Sequence, residues 1–328
     1  MNTWVVGGVQ VHAVEVHRDP AVVGSAGVAD NRPVLIVGGG CEVGGGRELL
    51  VLSFEAGQEL EYKMVSQRNI DLTIASKAKN TSKTDKMSER LELVMVYKPV
   101  EVNPYGLSTI EATCKSAKVK RKSFTSRGGK KDAVENLAGK SFTFKLTPTG
   151  KIVEYSELTS LLEKVGKTAF DPKKEGRRLV KNPDMLHDFV ALQWYLWDSI
   201  STIKDPIKGV AIGSEWKALQ MIPMSIHWPP TRETTYVLDE VIETEQERKA
   251  MIKSTYAISD EKLGDWPKPH SGRFQMKGVF GFLIQYRFLS IEGGGTQVFD
   301  LKRNLIEKDT QQYKMEVSAS FMLPLGDT

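Results

Sequence analysis

Long stretches of alternating apolar and polar residues constrain the fold of this chain more than any other feature. In QELEYKMVSQRNIDLTIAS (58–76), the apolar residues Leu60, Tyr62 and Met64 alternate with polar neighbours. Apolar residues at every second position give an extended strand one apolar face. The same pattern recurs in 87–103, in 107–126 and in most of the chain after residue 213. Strands of this length must twist, so we predict a long, curled antiparallel sheet.

Two segments instead repeat their apolar residues at helical spacing. They predict one helix over 156–170 with Ser156 as its N-cap, and a second over 182–203 with Asn182 as its N-cap. Apolar residues nearly encircle the second helix, apart from a polar stripe of His187, Asp188, Tyr195, Asp198 and Thr202. A helix this apolar should be buried on two or more sides. The predicted fold class is α+β, with the curled sheet wrapped around two central helices in the manner of a half-barrel.

Residues 1–46 differ in composition from the remainder, because they hold ten of the 28 glycines and few bulky side chains. Glycine is costly to order, so we predict a flexible leader over 1–46 and a single α+β domain over 47–328. A start assigned too far upstream is the alternative explanation. Within the domain, we expect two similar halves, 47–155 and 205–328, joined by a helical connector over 156–204.

The expectation of two halves depends on a repeated spacing. Gly57 precedes Phe144 by 87 residues, and Gly213 precedes Phe299 by 86 residues, in similar local sequence. A duplicated β unit explains this agreement. Chance similarity between hairpins that obey the same turn rules explains it equally well.

The segment VLIVGGGCEVGGG (34–46) resembles the start of a nucleotide-binding loop but lacks its chemistry. A dinucleotide loop needs a glycine where Val43 stands, and a P-loop needs a lysine and a following helix. Here Arg47 begins a predicted strand. Cys41 could carry an acyl anchor after these small residues, and a free thiol is the alternative.

The overall totals exclude several classes of protein. A net charge of +4, from nearly equal numbers of basic and acidic residues, is too small to indicate a nucleic-acid-binding surface. Two cysteines permit neither a disulfide framework nor a four-thiolate zinc site. No apolar run reaches the length of a membrane-spanning helix. The five histidines are scattered, so we predict no metal and no cofactor. No catalytic motif occurs, so no catalytic residue is predicted.

One basic cluster interrupts the mixed charge pattern. Lys118, Lys120 and Lys122 share one face of a predicted strand. They could meet anionic lipid at a membrane surface, whereas a solvated strand edge that discourages pairing is the commoner meaning of such lysines. We expect no nucleic-acid partner, because aromatic residues are nearly absent from the cluster.

Several short segments together resemble an uncharacterised family of bacterial exported, β-rich proteins: FEAGQELEYKM, FKLTPTGKI, GSEWKAL, TTYVLDEV and YKMEVSASFMLPLG. That family follows a Gly-x-x-Tyr strand with a Pro-x-Gly-Lys-Ile hairpin and a Gly-x-x-Trp strand, and the resemblance covers 47–328. It implies a location in the bacterial cell envelope or periplasm and carries no known activity. No clear export signal precedes Arg47, so the cytoplasm stays an alternative.

Aromatic residues around the second predicted helix suggest a function. Phe189, Trp194, Trp197 and Phe280 could line an apolar cavity between helix and sheet. Trp228 and Trp266, on proline-stiffened loops, could form a rim for a ligand or lids that close the core.

We therefore predict a non-catalytic envelope protein that binds an apolar or lipid-like ligand. A structural or protein-interaction module with a filled core is the first alternative. An unrecognised hydrolase that uses His187 beside Asp188 is the second.

Overall fold

A computed structural model of the protein describes residues 3–18, 46–76, 81–122, 131–169, 179–180, 185–224, 230–263, 266–269, 275–278 and 281–322. The described strands are β1 (Thr3–Arg18), β2 (Arg47–Glu48), β3 (Leu60–Ser76), β4 (Thr81–Val102), β5 (Ser108–Lys122), β6 (Lys140–Leu146), β7 (Ile152–Glu154), β8 (Leu179–Val180), β9 (Val210–Ala211), β10 (Glu215–Met221), β11 (Thr231–Glu243), β12 (Arg248–Ser259), β13 (Gln275–Gly278), β14 (Gly281–Asp300) and β15 (Leu305–Met322). The α-helices are α1 (Ser156–Gly166) and α2 (Leu186–Ser201), and short 3-10 helices cover Ala133–Leu137, Lys167–Ala169 and Pro206–Lys208.

One large antiparallel sheet dominates the fold. Eleven strands follow the order β10-β11-β12-β14-β15-β1-β3-β4-β5-β6-β7. Beside this path, β13 pairs with β14 and, in parallel, with β8, while β2 and β9 form a separate two-stranded sheet. Among the described strands, β10 and β7 each have one neighbour, so the sheet is not closed. The prediction of a mainly antiparallel β protein with two helices is confirmed.

The position of β1 corrects the predicted leader. β1 lies between β15 and β3 and pairs with both along nearly its whole length. Val14 and Val16 are buried in the core, whereas Glu15 between them is exposed. The prediction of a flexible leader is therefore wrong for Thr3–Arg18, because alternating β-branched valines favour a strand and two neighbours supply its hydrogen bonds. The predictions made for Cys41 and the glycine loop at 34–45 lie outside the described residues.

The sheet contains two runs of five strands in the same order, one on each side of β1. β3 to β7 form one antiparallel meander, and β10, β11, β12, β14 and β15 form the other, with β13 inserted. Each run begins after a glycine at positive φ: the N–H of Gly57 donates to the carbonyl of Pro99, and that of Gly213 to the carbonyl of Leu238. Both glycines have φ of 81°, where an L side chain would be strained.

α2 lies in the core and bonds to strands on both sides of β1. The indole N–H of Trp216 on β10 donates to the carbonyl of Ser199, and the hydroxyl of Tyr97 on β4 donates to the side chain of Gln193. Fourteen of the sixteen residues of α2 are buried, as its apolar composition predicted.

The N-caps of the two helices, Tyr155 and Met185, differ from those predicted. α1 starts at Ser156 itself, and its N-cap is Tyr155, which makes no side-chain capping bond. Ser156 bonds to Glu154 instead. α2 starts at Leu186, and the predicted N-cap at Asn182 lies outside the described residues.

Aromatic rings fill the space between α2 and the sheet. Phe189 packs edge-to-face on Phe142 with ring centroids 6.2 Å apart, and Trp197 packs in the same way on Tyr97 at 6.1 Å. Edge-to-face contacts of this kind add to the stability gained by burying the rings. None of the described helices combines the length and apolarity needed to span a bilayer.

The central place of β1 predicts an effect of substitutions in its buried row. Val16→Ala should lower the free energy of unfolding by roughly 1–3 kcal/mol, because it leaves a cavity in the core. The exposed neighbour provides a control, since Glu15→Ala should change that free energy by less than about 0.5 kcal/mol. Urea denaturation of both variants measures the difference, and equal small effects would contradict the placement of β1 in the sheet.

Candidate functional site

The buried face of the sheet changes from apolar to polar partway along several strands. On β3 the buried row begins with Leu60, Tyr62 and Met64 and continues with Ser66 and Arg68. The same change on β10, β11 and β15 buries Gln220, Arg232, Thr234, Asp309 and Gln311. Buried polar groups are costly unless they bond to one another, so these residues define the first candidate region.

Arg232 is the centre of this region. Its side chain is fully buried, and its guanidinium lies over the ring of Tyr256 at 3.9 Å from the centroid. The rings of Tyr313 and Tyr195 approach it at 4.8 Å and 4.9 Å. Three aromatic rings around one guanidinium stabilise the positive charge by cation–π attraction.

Two glutamines connect Arg232 to buried carboxyl groups. Nε of Arg232 donates to Oε1 of Gln220 at 2.9 Å, and Nη2 donates to Oε1 of Gln311 at 2.6 Å. The amide nitrogens then donate onward, Gln220 to Asp198 at 3.0 Å and Gln311 to Asp309 at 2.8 Å. We call these five residues the Arg232 cluster.

The two carboxyl groups of the Arg232 cluster hold their protons unusually tightly. Burial raises the pKa of Asp198 to about 7, although the bond from Gln220 and the charge of Arg232 oppose the shift. Burial likewise raises the pKa of Asp309 to about 7. Desolvation outweighs the nearby positive charge because neither carboxyl group contacts the guanidinium directly.

A second buried cluster surrounds Arg68. Its guanidinium contacts the carboxylate of Asp188 at 3.0 Å and that of Glu89 at 2.9 Å. Ser66 donates to Asp188 at 2.8 Å, and burial raises the pKa of Asp188 to about 6 despite the adjacent guanidinium. These contacts attach the first turn of α2 to β3 and β4.

An open groove of about 630 Å³ lies beside α2. Its lining comes from the β6–β7 turn, from β7, from the start of α1 and from one face of α2. The face of α2 contributes Trp194, Trp197, Asp198 and Ser201. These residues have the spacing i, i+3, i+4 and i+7, which places them in one stripe along the helix.

Two aromatic rings contact Trp194 at the wall of the groove. This side chain is only partly buried, and its ring lies 5.4 Å from that of Tyr155, in an edge-to-face contact. The ring of Trp266 lies 5.0 Å from it on another side, tilted by 38°. Asp198 lines the same groove and also belongs to the Arg232 cluster, so it connects the two regions.

The predicted cavity residues separate into three groups. Trp194 and Trp197 line the groove, and Trp266 contacts Trp194. Phe189 lies instead in the filled core, fully buried against Phe142. Phe280 and Trp228 lie outside the described residues.

The other predicted site residues lie away from the groove. Lys118, Lys120 and Lys122 are exposed on one face of β5, and Lys120 pairs with Glu92 at 3.4 Å. His187 is buried in the first turn of α2 and does not line the groove, so the groove lends no support to a hydrolase. Within the described ranges, His, Cys, Asp and Glu side chains form no group of three that could hold a metal ion.

Sequence reasoning missed the Arg232 cluster, although the alternation along the strands places Arg232 and Asp309 on the core face. Arg232 lies an even number of residues from Tyr236 and Leu238, which face the core on β11, so all three side chains lie on the same face of the strand. Asp309 likewise lies on the same face of β15 as the buried residues Tyr313 and Met315. The available signal was therefore a charged residue at one of the alternate strand positions that apolar residues otherwise occupy.

Comparison with known proteins identifies one family. The model of a "Family of unknown function (DUF6263)" matches residues 90–262, which is more than half of the chain. The chain belongs to this family. The prediction that it resembles an uncharacterised family is confirmed, while bacterial origin and export stay predictions. No curated protein matches the chain.

The DUF6263 match covers the groove but only part of the buried polar region. It runs from within β4 to the residues just after β12, and it includes α1, α2 and every groove-lining residue. Arg232 lies inside the match, whereas Arg68, Asp309 and Trp266 lie outside it. The groove is therefore built from residues that the DUF6263 family model itself describes.

The raised pKa values predict that stability falls as pH rises. Between the ordinary carboxyl pKa near 4 and about 7, folded Asp309 keeps a proton that the unfolded chain has released. The contribution of this proton to the free energy of unfolding is complete at low pH and is lost as pH rises through about 7. Between about pH 5 and pH 8 this loss should be on the order of 2 kcal/mol for one such carboxyl group.

Urea denaturation at those two pH values measures the loss. Asp309→Asn should reduce the change in the free energy of unfolding between these pH values by that amount, because an amide does not titrate. Asp205→Asn, at an exposed carboxylate, provides the control and should leave it unchanged. An Asp309→Asn variant with the pH dependence of the unaltered protein would show that Asp309 does not hold its proton in the folded state.

Proposed function

We propose that the protein is a non-catalytic binding protein that holds an apolar or lipid-like ligand in the groove beside α2. The observation that carries this proposal is the partly exposed ring of Trp194 between Tyr155 and Trp266, at the wall of a groove of about 630 Å³. Small-molecule sites commonly occupy about 300–1,000 Å³ and combine aromatic walls with a few polar groups. The groove has this size and this kind of lining.

The rigidity of the groove also supports binding. Trp197 and Asp198 are held by contacts to the sheet, so the stripe on α2 is positioned before any ligand arrives. Rigid walls reduce the loss of side-chain entropy on binding. A partly exposed tryptophan on such a wall gives a ligand a large apolar surface to cover.

The proposal includes a sheet that curls around α2 as a half-barrel. α2 bonds to β10, the first strand of the sheet order, and to β4, the eighth. In a flat sheet these strands would lie roughly 34 Å apart, at about 4.8 Å per strand, whereas a helix is only about 10 Å wide. Contacts from one helix to both strands are what a curved sheet would give.

A location in the bacterial envelope belongs to the same proposal. It depends on the sequence segments that resemble exported, β-rich proteins, and a cytoplasmic location is the alternative. The exposed face of Lys118, Lys120 and Lys122 would suit peripheral contact with anionic lipid there.

A protein-interaction module with a filled core is the second candidate. The burial of fourteen residues of α2 favours it, since Phe189 and Trp197 pack directly on rings of the sheet. In that case the groove beside α2 would be a surface depression without an occupant.

Binding of a neutral amphiphile distinguishes the two candidates. Decyl maltoside, kept below its critical micelle concentration, should bind one molecule per chain in isothermal titration calorimetry. Trp194→Ala should weaken this binding by about tenfold or more, because it removes the aromatic wall. Ser201→Phe should weaken it as well, because a ring at that position fills the groove while Trp194 and Trp197 remain.

A matched control variant is Tyr105→Ala, which removes an aromatic side chain that is 89% exposed in the β4–β5 turn. It should bind as the unaltered protein does. Native mass spectrometry of the purified protein should also find a co-purified apolar molecule, and less of it with Ser201→Phe. Absence of both binding and a co-purified molecule would favour the filled-core module.

A further inference from the structure

We infer that the groove beside α2 selects ligands with a positively charged ammonium head group, such as an alkyl-trimethylammonium. This inference rests on the proposed function and names the class of ligand. It follows from the aromatic rings and carboxylates that the groove brings together.

The aromatic walls of the groove suit a cation. The rings of Trp194 and Tyr155 both line the groove and meet at a steep angle of 83°, while the ring of Trp266 packs on Trp194 from outside the lining. Rings set at an angle to one another form the corner of a cage in which a cation can contact more than one π face. The N–H of Trp266 has no hydrogen-bond partner among the described residues, so this ring is held by packing alone.

Glu154 supplies a fixed negative charge at the groove. Its Oε1 accepts hydrogen bonds from the backbone N–H of Ser156 at 2.8 Å and from the hydroxyl of Ser156 at 2.5 Å. These two bonds hold the pKa of Glu154 below its ordinary value, so the group is ionised at neutral pH. Because Oε1 takes both bonds, Oε2 remains for a ligand.

Asp198 supplies a second carboxyl group, one helical turn from Trp194. Oδ2 of Asp198 accepts from Gln220, whereas Oδ1 receives no hydrogen bond from the described residues. A cation in the groove would stabilise the ionised form of Asp198 in place of the water that burial has removed. Among the described lining residues, Lys151 is the only basic one and is exposed, and the charge of Lys145 acts on Glu154 from outside the lining. Two acidic residues and one lysine therefore line the groove.

Three amphiphiles with the same decyl chain test this inference on the full-length protein. Decyl-trimethylammonium is the cation, decyl maltoside the neutral compound and decyl sulfate the anion. Calorimetry at about pH 8, where Asp198 is largely ionised, gives the dissociation constant of each below its critical micelle concentration. The cation should bind about tenfold more tightly than the neutral compound, and the anion should bind most weakly.

The ratio of the dissociation constants for the neutral compound and the cation is the quantity to compare between variants. Asp198→Asn and Glu154→Gln should each reduce this ratio, because they remove a negative charge and keep the shape of the side chain. Glu101→Gln, at an exposed carboxylate on β4, should leave the ratio unchanged. A reduced ratio in one groove variant supports the inference even where the other does not fold.

The possible results separate this inference from the proposed function. Equal binding of cation and neutral compound would overturn the ammonium preference and leave apolar binding intact. Tightest binding of decyl sulfate would also overturn it and would indicate an anion held by Lys151. Binding of none of the three compounds would overturn both proposals together.

Discussion

The attachment of α2 to polar side chains of the sheet is the constraint on which the rest of the structure depends. Apolar contacts alone hold a helix in a core but specify its rotation poorly. Here Asp188 bonds to β3, Gln193 to β4 and Asp198 to β10, on three sides of one helix. Leaving a buried polar group without its partner is destabilising, so these bonds fix the rotation of α2. That rotation directs Trp194 into the groove.

The groups that surround Arg232 explain why a fully buried arginine is tolerated. Within the described ranges no carboxylate contacts Arg232 directly, yet three tyrosine rings and two glutamine oxygens surround its guanidinium. The nearby carboxyl groups stay largely protonated until the pH approaches their pKa of about 7, so the cluster carries close to one net charge over most of the acidic range. Asp198 is the member that also reaches the groove, so a ligand's charge can act on the cluster directly.

The sequence was informative about elements and uninformative about their arrangement. The alternation at Leu60, Tyr62 and Met64 predicts β3, and the apolar surface around Phe189 predicts a buried α2, because both signals are local. The order of strands depends on pairing between distant segments, so the place of β1 could not be predicted. For the same reason the sequence indicated Trp194 and Trp197 as cavity residues but not the β6–β7 turn that lines the groove with them. Glycine content was misleading for β1, since cross-strand hydrogen bonds from β3 and β15 outweigh the entropy that glycine loses.

The pairing of β1 also has a consequence for how the chain is made. β1 can pair with β3 early in synthesis, but its other edge needs β15, and Thr3 lies opposite Met322. Until β15 emerges, the centre of the future sheet is an exposed strand edge, which invites pairing with other chains. Contacts so distant in sequence also slow folding. The chain therefore carries an unpaired strand edge at the centre of its sheet until β15 has been made.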